Sequence, residues 1–548
     1  MQDTATLADP RPTPSTPGAA GLPEPPVRHV AVVGGGTAGW MTALLLADSK
    51  FGERLKVTVL ESPMVGIIGV GEGSTPWLRA FFERLGIAEA EWMPACNATY
   101  KSGITFDRWS TRPGFESYFH PFPSTLDNLT MPQFLSNVHA RLNDADVHAH
   151  PDRFFLSKRL AVGGQAPKAP RHFPFDVGYG YHFDASLLGA FLHKKALERG
   201  VMHVSRHMNA AKLDERGNIA ALELEGGDAL DADFFVDCTG FAALLIGKAL
   251  QTPYVSFAEN LFNDSAIAMP TPLGDGPIQS QTVSTAMRHG WAWKIPLTSR
   301  NGNGYVYSSA HCSADAAETE LRTHLGLLDA DVPARHLKMR VGRYAKHWSR
   351  NCVAVGLSQG FIEPLEATAL FFVQRTAASL VDALEKGDLG EAAQAAFNDG
   401  INARFEGTRD YIVTHYKTNT RTDTEYWRAN AANAALSEQL RRLLGAWLSS
   451  RPIAPGIDSG AIGRSYPTLS WYCLLAGVGL FPDAASLRPP TPREGRFDLE
   501  GVDNLLERSA VNFPDHRACL RDIPPDSARL ELFTQLAGAG PRAALGAL

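Results

Sequence analysis

The sequence lacks the patterns that mark secreted, zinc-binding and membrane-spanning proteins. Its six cysteines are scattered without CxxC spacing, so neither a metal site nor a disulfide framework is indicated. It has no run of about 18 apolar residues that would predict a membrane span, and no apolar N-terminal segment typical of a signal peptide. We therefore expect a cytoplasmic protein that binds neither a metal nor a membrane.

Clusters of basic residues are missing too. Lys and Arg total 52 against 58 Asp and Glu, which gives a formal net charge of −6. Because nucleic-acid-binding proteins concentrate positive charge on one surface, no nucleic-acid partner is expected. The partner is predicted to be a small molecule, and a homodimer is possible.

Glycine, by contrast, is concentrated where a strand meets a helix. His29–Val33 is a β-branched apolar run, followed by the turn GGGTAG (Gly34 to Gly39) and a helical segment from Trp40 to Leu46. In a dinucleotide-binding turn, Gly34 allows the tight bend, Gly36 lets the backbone approach a pyrophosphate, and Gly39 lets the helix pack on the strand. Amides at the helix N-terminus, including those of Thr37 and Ala38, would hold the phosphates.

An acidic residue at the expected distance supports this interpretation. A second apolar strand, Leu55 to Leu60, ends at Glu61, where an acceptor for a ribose hydroxyl is expected. A third buried strand runs into DCTG (Asp237 to Gly240) after a hairpin around Gly217. This layout, a βαβ-type unit with a β-meander crossover, is that of two-dinucleotide-binding-domain flavoproteins, so FAD is favoured over NAD.

The remaining patterns predict the domain organisation of an α/β protein. We expect a monooxygenase-like FAD fold with a strand-rich substrate layer and a helical C-terminal cap. The Pro-rich residues 1–27 form a disordered tail, and residues 28–390 form the main body. Within the body, residues 28–110, 180–250 and 336–385 form the flavin-binding module, whereas 111–179, predicted to be irregular, and 251–335 are substrate insertions. The cap is residues 391–548.

Three long helices are predicted in or next to the cap from apolar spacing of three to four residues. They are Asp388 to His415, Thr424 to Leu448 and Val502 to Leu520.

One motif identifies a family. The segment WAWKIP (Trp291 to Pro296) resembles the WxWxIP signature of flavin-dependent tryptophan halogenases. Six further segments follow the family pattern in order. They are GGGTAGW (Gly34 to Trp40), GVGEGSTP (Gly69 to Pro76), EWMPACNATYK (Glu91 to Lys101), HFDA (His182 to Ala185), DCTG (Asp237 to Gly240) and FIEPLEAT (Phe361 to Thr368).

The resemblance, which covers about residues 28–520, implies a reaction in two chambers. Reduced FAD (FADH2), supplied by a separate NAD(P)H-dependent flavin reductase, and O₂ convert a bound bromide or chloride ion into hypohalous acid. This oxidant crosses an internal tunnel to an indole-type aromatic substrate. The family's catalytic lysine and glutamate at the far end of the tunnel match Lys101 and Glu366. An ammonium can hydrogen-bond the oxidant or form a haloamine, and a carboxylate can stabilise the cationic intermediate and accept its proton.

The resemblance also assigns binding residues. Those expected at the flavin are Gly34, Gly36, Thr37, Ala38, Gly39, Glu61, Glu72, Met208, Leu357 and Leu370. The halide is expected at the amides of Thr368 and Ala369. The indole is expected between His120, Phe122 and Tyr466. The WxWxIP residues Trp291, Trp293, Ile295 and Pro296 are expected in the wall between tunnel and flavin.

Two departures from the family pattern bear on specificity. Ala369 replaces the family's halide-site glycine, so we expect bromide to be preferred over chloride. Tyr466 replaces a tryptophan, and Ala454 to Ser465 lacks the tyrosine pair that grips the amino-acid part of tryptophan. The pattern therefore favours an open pocket for indole or a larger indole-bearing molecule.

Two alternatives stay open from the residues. One is a flavin monooxygenase that hydroxylates an aromatic substrate. The other is a flavin-binding protein without catalytic activity.

Overall fold

A computed structural model describes residues 26–66, 71–458, 460, 462–495 and 499–523. Residues 1–25 of the predicted tail lie outside the described residues, as do residues 67–70, which include the start of the GVGEGSTP loop.

A six-stranded sheet forms the centre of the α/β fold, in the order β20-β21-β12-β1-β2-β8. Its strands are β1 (His29–Val33), β2 (Lys56–Glu61), β8 (Met202–Ser205), β12 (Phe234–Asp237), β20 (Trp348–Ser349) and β21 (Cys352–Ala354). All neighbours pair in parallel except the edge strand β20. The predicted strand at His29–Val33 is confirmed, and the second strand lies within one residue of its prediction. Parallel strands buried on both faces explain why these segments are almost wholly apolar.

Three helices pack beside the glycine turn. They are α1 (Thr37–Ala47), α6 (Ala185–Glu198) and α8 (Ala369–Lys386), and α1 contacts both of the others. The carboxylate of Asp184 caps α6 by accepting hydrogen bonds from the amides of Ser186 and Leu187, as its position before the apolar segment predicts.

A second, seven-stranded sheet provides the expected strand-rich layer, in the order β18-β14-β17-β16-β15-β5-β6. Its strands are β5 (Gly103–Asp107), β6 (Ser117–Pro121), β14 (Ser265–Thr271), β15 (Gln281–Ala286), β16 (Gly290–Pro296), β17 (Asn301–Tyr307) and β18 (Arg335–Lys338). WAWKIP is therefore most of one inner strand. Since side chains alternate along a strand, Trp291, Trp293 and Ile295 share one face.

Three small sheets complete the strands. One contains β3 (Gly71–Gly73), β4 (Thr99–Lys101) and β7 (Gly180–Asp184). The second is the predicted meander of β9 (Met208–Leu213), β10 (Ile219–Leu224) and β11 (Ala229–Asp231). The third contains β13 (Tyr254–Ser256), β19 (Gly342–Tyr344) and β22 (Gly360–Phe361).

The other helices lie between and after these sheets. They are α2 (Trp77–Arg84), α3 (Glu89–Ala95), α4 (Met131–Leu142), α5 (Leu156–Val162), α7 (Ala314–Leu325), α9 (Glu391–Lys417), α10 (Glu425–Ala432), α11 (Glu438–Leu448), α12 (Ala454–Asp458), α13 (Thr468–Gly477), α14 (Leu499–Ala510) and α15 (His516–Arg521). Because β6, α4 and α5 fall in residues 111–179, the prediction of an irregular insertion there was wrong.

Two predicted helices are each interrupted. The segment Thr424 to Leu448 divides into α10 and α11 because Asn433 leaves the helical conformation and Ser437 caps a new helix. The segment Val502 to Leu520 divides into α14 and α15. Pro514 disfavours helical geometry in the residue before it, and Asp515 caps α15.

The buried core joins the flavin-side sheet to the C-terminal helices. One apolar cluster contains Val30 and Val32 of β1, Trp291 of β16, and Trp471 and Leu506 of the C-terminal helices. The domain boundaries given above stay predictions. In the part of the chain that the structure describes, none of the helices is long and apolar enough to cross a membrane.

The glycine turn supplies a matched pair of stability tests. A Cβ on Gly39 would lie 1.9 Å from the carbonyl oxygen of Gly34, whereas a Cβ on Gly36 would meet nothing within 4 Å. We expect Gly39→Ala to lower the free energy of unfolding by about 1–3 kcal/mol, although Ala normally favours a helix. Gly36→Ala should leave it within about 0.5 kcal/mol of the parent protein. Denaturant unfolding measures both, and equal stabilities of the two variants would contradict the packing described.

Candidate active site

The glycine turn has the shape that a dinucleotide requires. Gly34 has φ +117°, and a Cβ there would lie 2.2 Å from the carbonyl oxygen of Cys238, so only glycine fits. Gly36 precedes the first residue of α1 and faces open space. No side chain caps α1, so its first amides are available to an anion. These residues fit the pyrophosphate of FAD.

The acid at the end of β2 lies beside this turn. A Cβ on Gly35 would come within 2.2 Å of the Glu61 carboxyl carbon, so the Glu61 side chain lies directly against the turn. Its Oε2 lies 3.1 Å from Nε2 of His203, and it is only partly buried. Glu61 is thus placed where an acceptor for a ribose hydroxyl is expected.

Three further residues predicted to contact the flavin lie on different elements of the fold. Met208 is buried against Ala31, Val33 and Leu60 of the central sheet. Leu357 belongs to the 3-10 turn 356–358, and Leu370 is the second residue of α8.

Glu72, on β3, is the charged member of the predicted flavin set. Burial, and secondarily the charge of Asp184, raises the pKa of Glu72 to about 7. Its carboxyl group therefore changes charge near neutral pH.

The predicted halide amides lie at the start of an 18-residue helix. Thr368 is the residue before α8, Ala369 is its first residue, and no side chain caps this end. The preceding Ala367 has φ +55°, a conformation that is uncommon for a residue with a Cβ. Unpaired amides at a helix N-terminus attract anions, so this end of α8 can accept a halide.

Lys101 is fully buried and lacks a hydrogen-bond partner among the residues that the structure describes. It ends β4, where it pairs with Gly180 of β7. Its Nζ lies 5.4 Å from the ring centroid of Phe122. Burial lowers the pKa of Lys101 to about 7, although the charge of Glu366 acts in the opposite direction. Near neutral pH the amine is therefore available in both its charged and its neutral form.

Glu366 is also buried, but both of its oxygens are occupied. Oε2 accepts a hydrogen bond from Nδ1 of His120 at 3.0 Å, and Oε1 accepts one from Nε2 of His415 at 3.0 Å. Burial alone would raise the pKa of Glu366, but the charge of His120 and the bonds from both imidazoles hold it at about 2. The carboxylate is therefore ionised at any physiological pH.

His415 and its neighbour Tyr118 were missed by sequence reasoning. Since Nε2 of His415 donates to Glu366, its Nδ1 is the acceptor for the Tyr118 hydroxyl, 3.1 Å away. The two residues lie 297 positions apart, on α9 and β6. His415 belongs to a correctly predicted helical segment, and only the fold reveals which carboxylate it faces.

Three residues are predicted to bind the substrate: His120, Phe122 and Tyr466. His120 also lies 3.0 Å from the Ser470 hydroxyl through Nε2, so both of its ring nitrogens are engaged. The Tyr466 ring stacks on Tyr411, with centroids 3.7 Å apart and planes 10° apart. Tyr411 was not predicted. That Phe122, His120 and Tyr466 bind an indole stays a prediction.

WAWKIP is anchored through its first tryptophan. Trp291 donates from Nε1 to Oε2 of Glu363 at 2.9 Å, and the same oxygen accepts hydrogen bonds from Asn263 and Tyr416. The Trp293 ring covers Gly304, where a Cβ would come within 2.1 Å of it. Two other members of the motif, Ile295 and Pro296, continue the same buried strand. The motif is thus anchored along a buried strand, and its role as the wall between tunnel and flavin stays a prediction.

Comparison with known proteins agrees with this geometry. A family model described as tryptophan halogenase matches residues 29–488. The chain is 37% identical over 507 residues to tryptophan 6-halogenase SttH of Streptomyces toxytricini, covering 85% of this chain and 93% of the relative. It is 36% identical over 508 residues to tryptophan 7-halogenase RebH of Lentzea aerocolonigenes, covering 88% and 94%.

Solved structures show the same fold. The crystal structure of SttH has a TM-score of 0.78 at 36% identity, covering 90% of this chain and 99% of that one. That of a tryptophan halogenase from Shewanella frigidimarina NCIMB 400 has a TM-score of 0.80 at 30% identity, covering 91% and 98%.

The burial of Lys101 has a consequence for stability. A lysine whose pKa falls from 10.5 to about 7 destabilises the fold in full below pH 7, and this cost disappears as pH rises past 10.5. We expect Lys101→Met to be more stable than the parent protein at pH 6, by a few kcal/mol at most. The gain should shrink towards pH 10. Thermal unfolding at pH 6, 8 and 10 measures it.

Lys294→Met is the control, because Lys294 is exposed on β16. Its Tm should follow that of the parent protein at every pH. A Tm difference for Lys101→Met that does not change with pH would contradict the buried, unpartnered amine.

Proposed function

This chain belongs to the flavin-dependent tryptophan halogenase family, and we propose that it halogenates an indole-type aromatic ring with hypohalous acid. The observation that carries the proposal is the presence of two buried groups: Lys101, which has no hydrogen-bond partner among the described residues, and Glu366, whose ionised carboxylate is held by two imidazoles. Both pKa values are lowered, which favours the neutral form of the lysine and the charged form of the glutamate. Such perturbed pKa values in buried groups are typical of acid–base sites.

FAD binding is assigned to the glycine turn, and we propose a monooxygenase-like FAD fold around it. Gly36 and the first amides of α1 hold the pyrophosphate, and Glu61 accepts from the ribose. Reduced FAD, when bound, would supply two electrons, so that O₂, a halide ion and a proton would give hypohalous acid, water and oxidised FAD. A separate NAD(P)H-dependent reductase supplies the FADH2.

The start of α8 holds the halide. The amides of Thr368 and Ala369 and the helix dipole favour an anion there. Ala369 adds a Cβ beside these amides where the family has glycine, and bromide, which is the more easily oxidised ion, is the preferred halide.

Lys101 receives the oxidant. In its charged form the amine donates a hydrogen bond to the oxygen of hypohalous acid, which makes the halogen more electrophilic. In its neutral form it can take the halogen as a haloamine and release water. A pKa of about 7 lets one residue perform either step near neutral pH.

Glu366 acts on the substrate. When the ring carbon bonds the halogen, the bond from the halogen to oxygen breaks and the oxygen leaves as water with the proton of the Lys101 ammonium. From the haloamine, the bond to nitrogen breaks and the nitrogen takes up a proton to give back the amine. The ring becomes a cation, which the buried negative charge stabilises. The ring carbon then loses its proton to the carboxylate. A protonated arene is a very strong acid, so a base whose pKa is about 2 is sufficient.

The substrate is indole or a larger indole-bearing molecule. Residues 454–465 include the short helix α12 and the turn 462–464, and their sequence offers no tyrosine pair to hold an amino acid. His120, Phe122 and Tyr466 remain to contact the ring.

A single assay separates the candidate activities. Purified protein is combined with FAD, a flavin reductase, NADH, bromide and indole, and the products are analysed by mass spectrometry. We expect a product with the bromine isotope doublet. A product 16 mass units heavier would indicate a monooxygenase instead, and no product from FAD-loaded protein would indicate a non-catalytic flavin protein.

Three further measurements test the catalytic lysine, the halide and the substrate separately. Lys101→Ala should reduce brominated product by at least about 100-fold, in the range expected for loss of an acid–base group. With equal bromide and chloride, brominated product should dominate, and mainly chlorinated product would contradict the role given to Ala369. Micromolar affinity for free tryptophan together with no affinity for indole would contradict the proposal that the substrate is indole or a larger indole-bearing molecule.

The hydrogen bond from His415 gives a further prediction. His415→Leu removes a donor to an ionised carboxylate, worth about 1.5–3 kcal/mol, so product formation should fall about 10- to 100-fold. His415→Gln, whose amide can still donate, should retain most of the rate. Brominated product and NADH consumption are measured together, since the second reports the flavin steps. Equal losses in both variants would contradict the positioning role.

A further inference from the structure

Three arginines next to the candidate site form no ion pair within the described ranges. They are Arg375 on α8, Arg404 on α9 and Arg464 in the turn 462–464. Arg404 donates from Nη1 to the backbone oxygen of Arg464 at 2.8 Å. This hydrogen bond joins helix α9 to the turn that precedes Tyr466.

Two aromatic rings connect the third arginine to the others. The guanidinium carbon of Arg375 lies 5.5 Å from the Trp77 ring, and that of Arg404 lies 5.9 Å from the Phe371 ring. The two rings are 5.7 Å apart. We call Arg375, Arg404 and Arg464 the arginine cluster.

The absence of acids at the cluster contrasts with the rest of α9. Two residues along the helix from Arg404, Glu406 pairs with Arg343 at 2.7 Å and also with Arg409. The acid whose charge acts on Arg375 is Asp382, two turns away on α8, and it makes no ion pair with it.

Burial and mutual repulsion make this arrangement unfavourable without an anion. Arg404 is only partly exposed, and burial, followed by the charges of Arg375 and Arg464, lowers its pKa to about 10. Removing a guanidinium from water without a counter-charge costs free energy. A bound anion would recover that energy.

The cluster lies on the substrate side of the candidate site. Arg404 and Tyr411 are seven residues apart on α9, so they share a face about 10 Å apart along its axis. Tyr411 stacks on Tyr466, two residues after Arg464. Phe371 is three residues after Thr368, at the start of α8.

We propose that the arginine cluster binds an anionic oxygen group, a carboxylate or phosphate, of an indole-bearing substrate. This inference rests on the proposed function. Guanidinium groups bind such anions through paired hydrogen bonds, and ring stacking keeps the guanidinium planes in place. The family's tyrosine pair holds the amino-acid part of tryptophan; in this chain the arginine cluster would instead hold the anionic group of the substrate.

The test compares an acid with its neutral amide on the same protein. Binding of indole-3-propionate and indole-3-propionamide to the parent protein, Arg404→Met and Arg464→Met is measured by ligand-observed NMR, which needs no turnover. The parent protein should bind the acid about 10-fold or more tightly than the amide. Each variant should lose that preference. Arg404→Lys should keep part of it.

Arg442→Met is the matched control, because Arg442 is an exposed arginine of α11 that pairs with Glu438. It should keep the preference for the acid. Since Arg464 is exposed, Arg464→Met tests the cluster even if Arg404→Met fails to fold.

Two results would overturn the proposal. One is equal affinity of the parent protein for acid and amide. The other is a preference that survives in both variants while their affinity for FAD falls, which would show that the cluster binds a flavin phosphate. Failure of the halogenation assay alone would contradict the proposed function and leave the binding result to stand separately.

Discussion

The candidate active site depends on the burial of an amine that has no hydrogen-bond partner among the described residues. Among the described residues Lys101 forms no ion pair with Glu366, and both oxygens of that carboxylate accept hydrogen bonds from imidazoles. Burial lowers the pKa of the amine to about 7, so the neutral form exists near neutral pH. The two histidines thus keep the carboxylate ionised, while burial makes the neutral form of the lysine accessible.

Sequence patterns predicted the elements whose formation is local. The strand at His29–Val33 and the cap at Asp184 depend on residues next to each other in the chain. The break between α10 and α11 does not. Asn433 donates from its side chain to the backbone of Glu259, and the Lys417 ammonium binds its carbonyl oxygen, so contacts with distant residues interrupt an otherwise helical pattern.

The dinucleotide turn and Glu61 were predictable from local sequence, whereas the catalytic pair was predictable only from the resemblance to the family. Lys101 and Glu366 were identified because their segments resemble halogenase motifs, since nothing in the apolar pattern around Lys101 distinguishes it from a structural residue. His415 and Tyr411 have no such motif, and their importance comes from facing Glu366 and Tyr466 in the folded chain. One helix supplies both residues because they are four positions apart and so share a face.

That same helix face connects specificity to catalysis. Arg404, Tyr411 and His415 follow one another at spacings of seven and four residues, from the arginine cluster to the carboxylate. A substrate anchored by its anionic group at one end would have its indole placed near Tyr466 and its reacting carbon near Glu366. The distance between the bound anionic group and the indole ring is then fixed by helix α9, because a helix has a constant rise per residue. Substrate length, rather than ring chemistry alone, would decide which carbon meets the oxidant at Lys101.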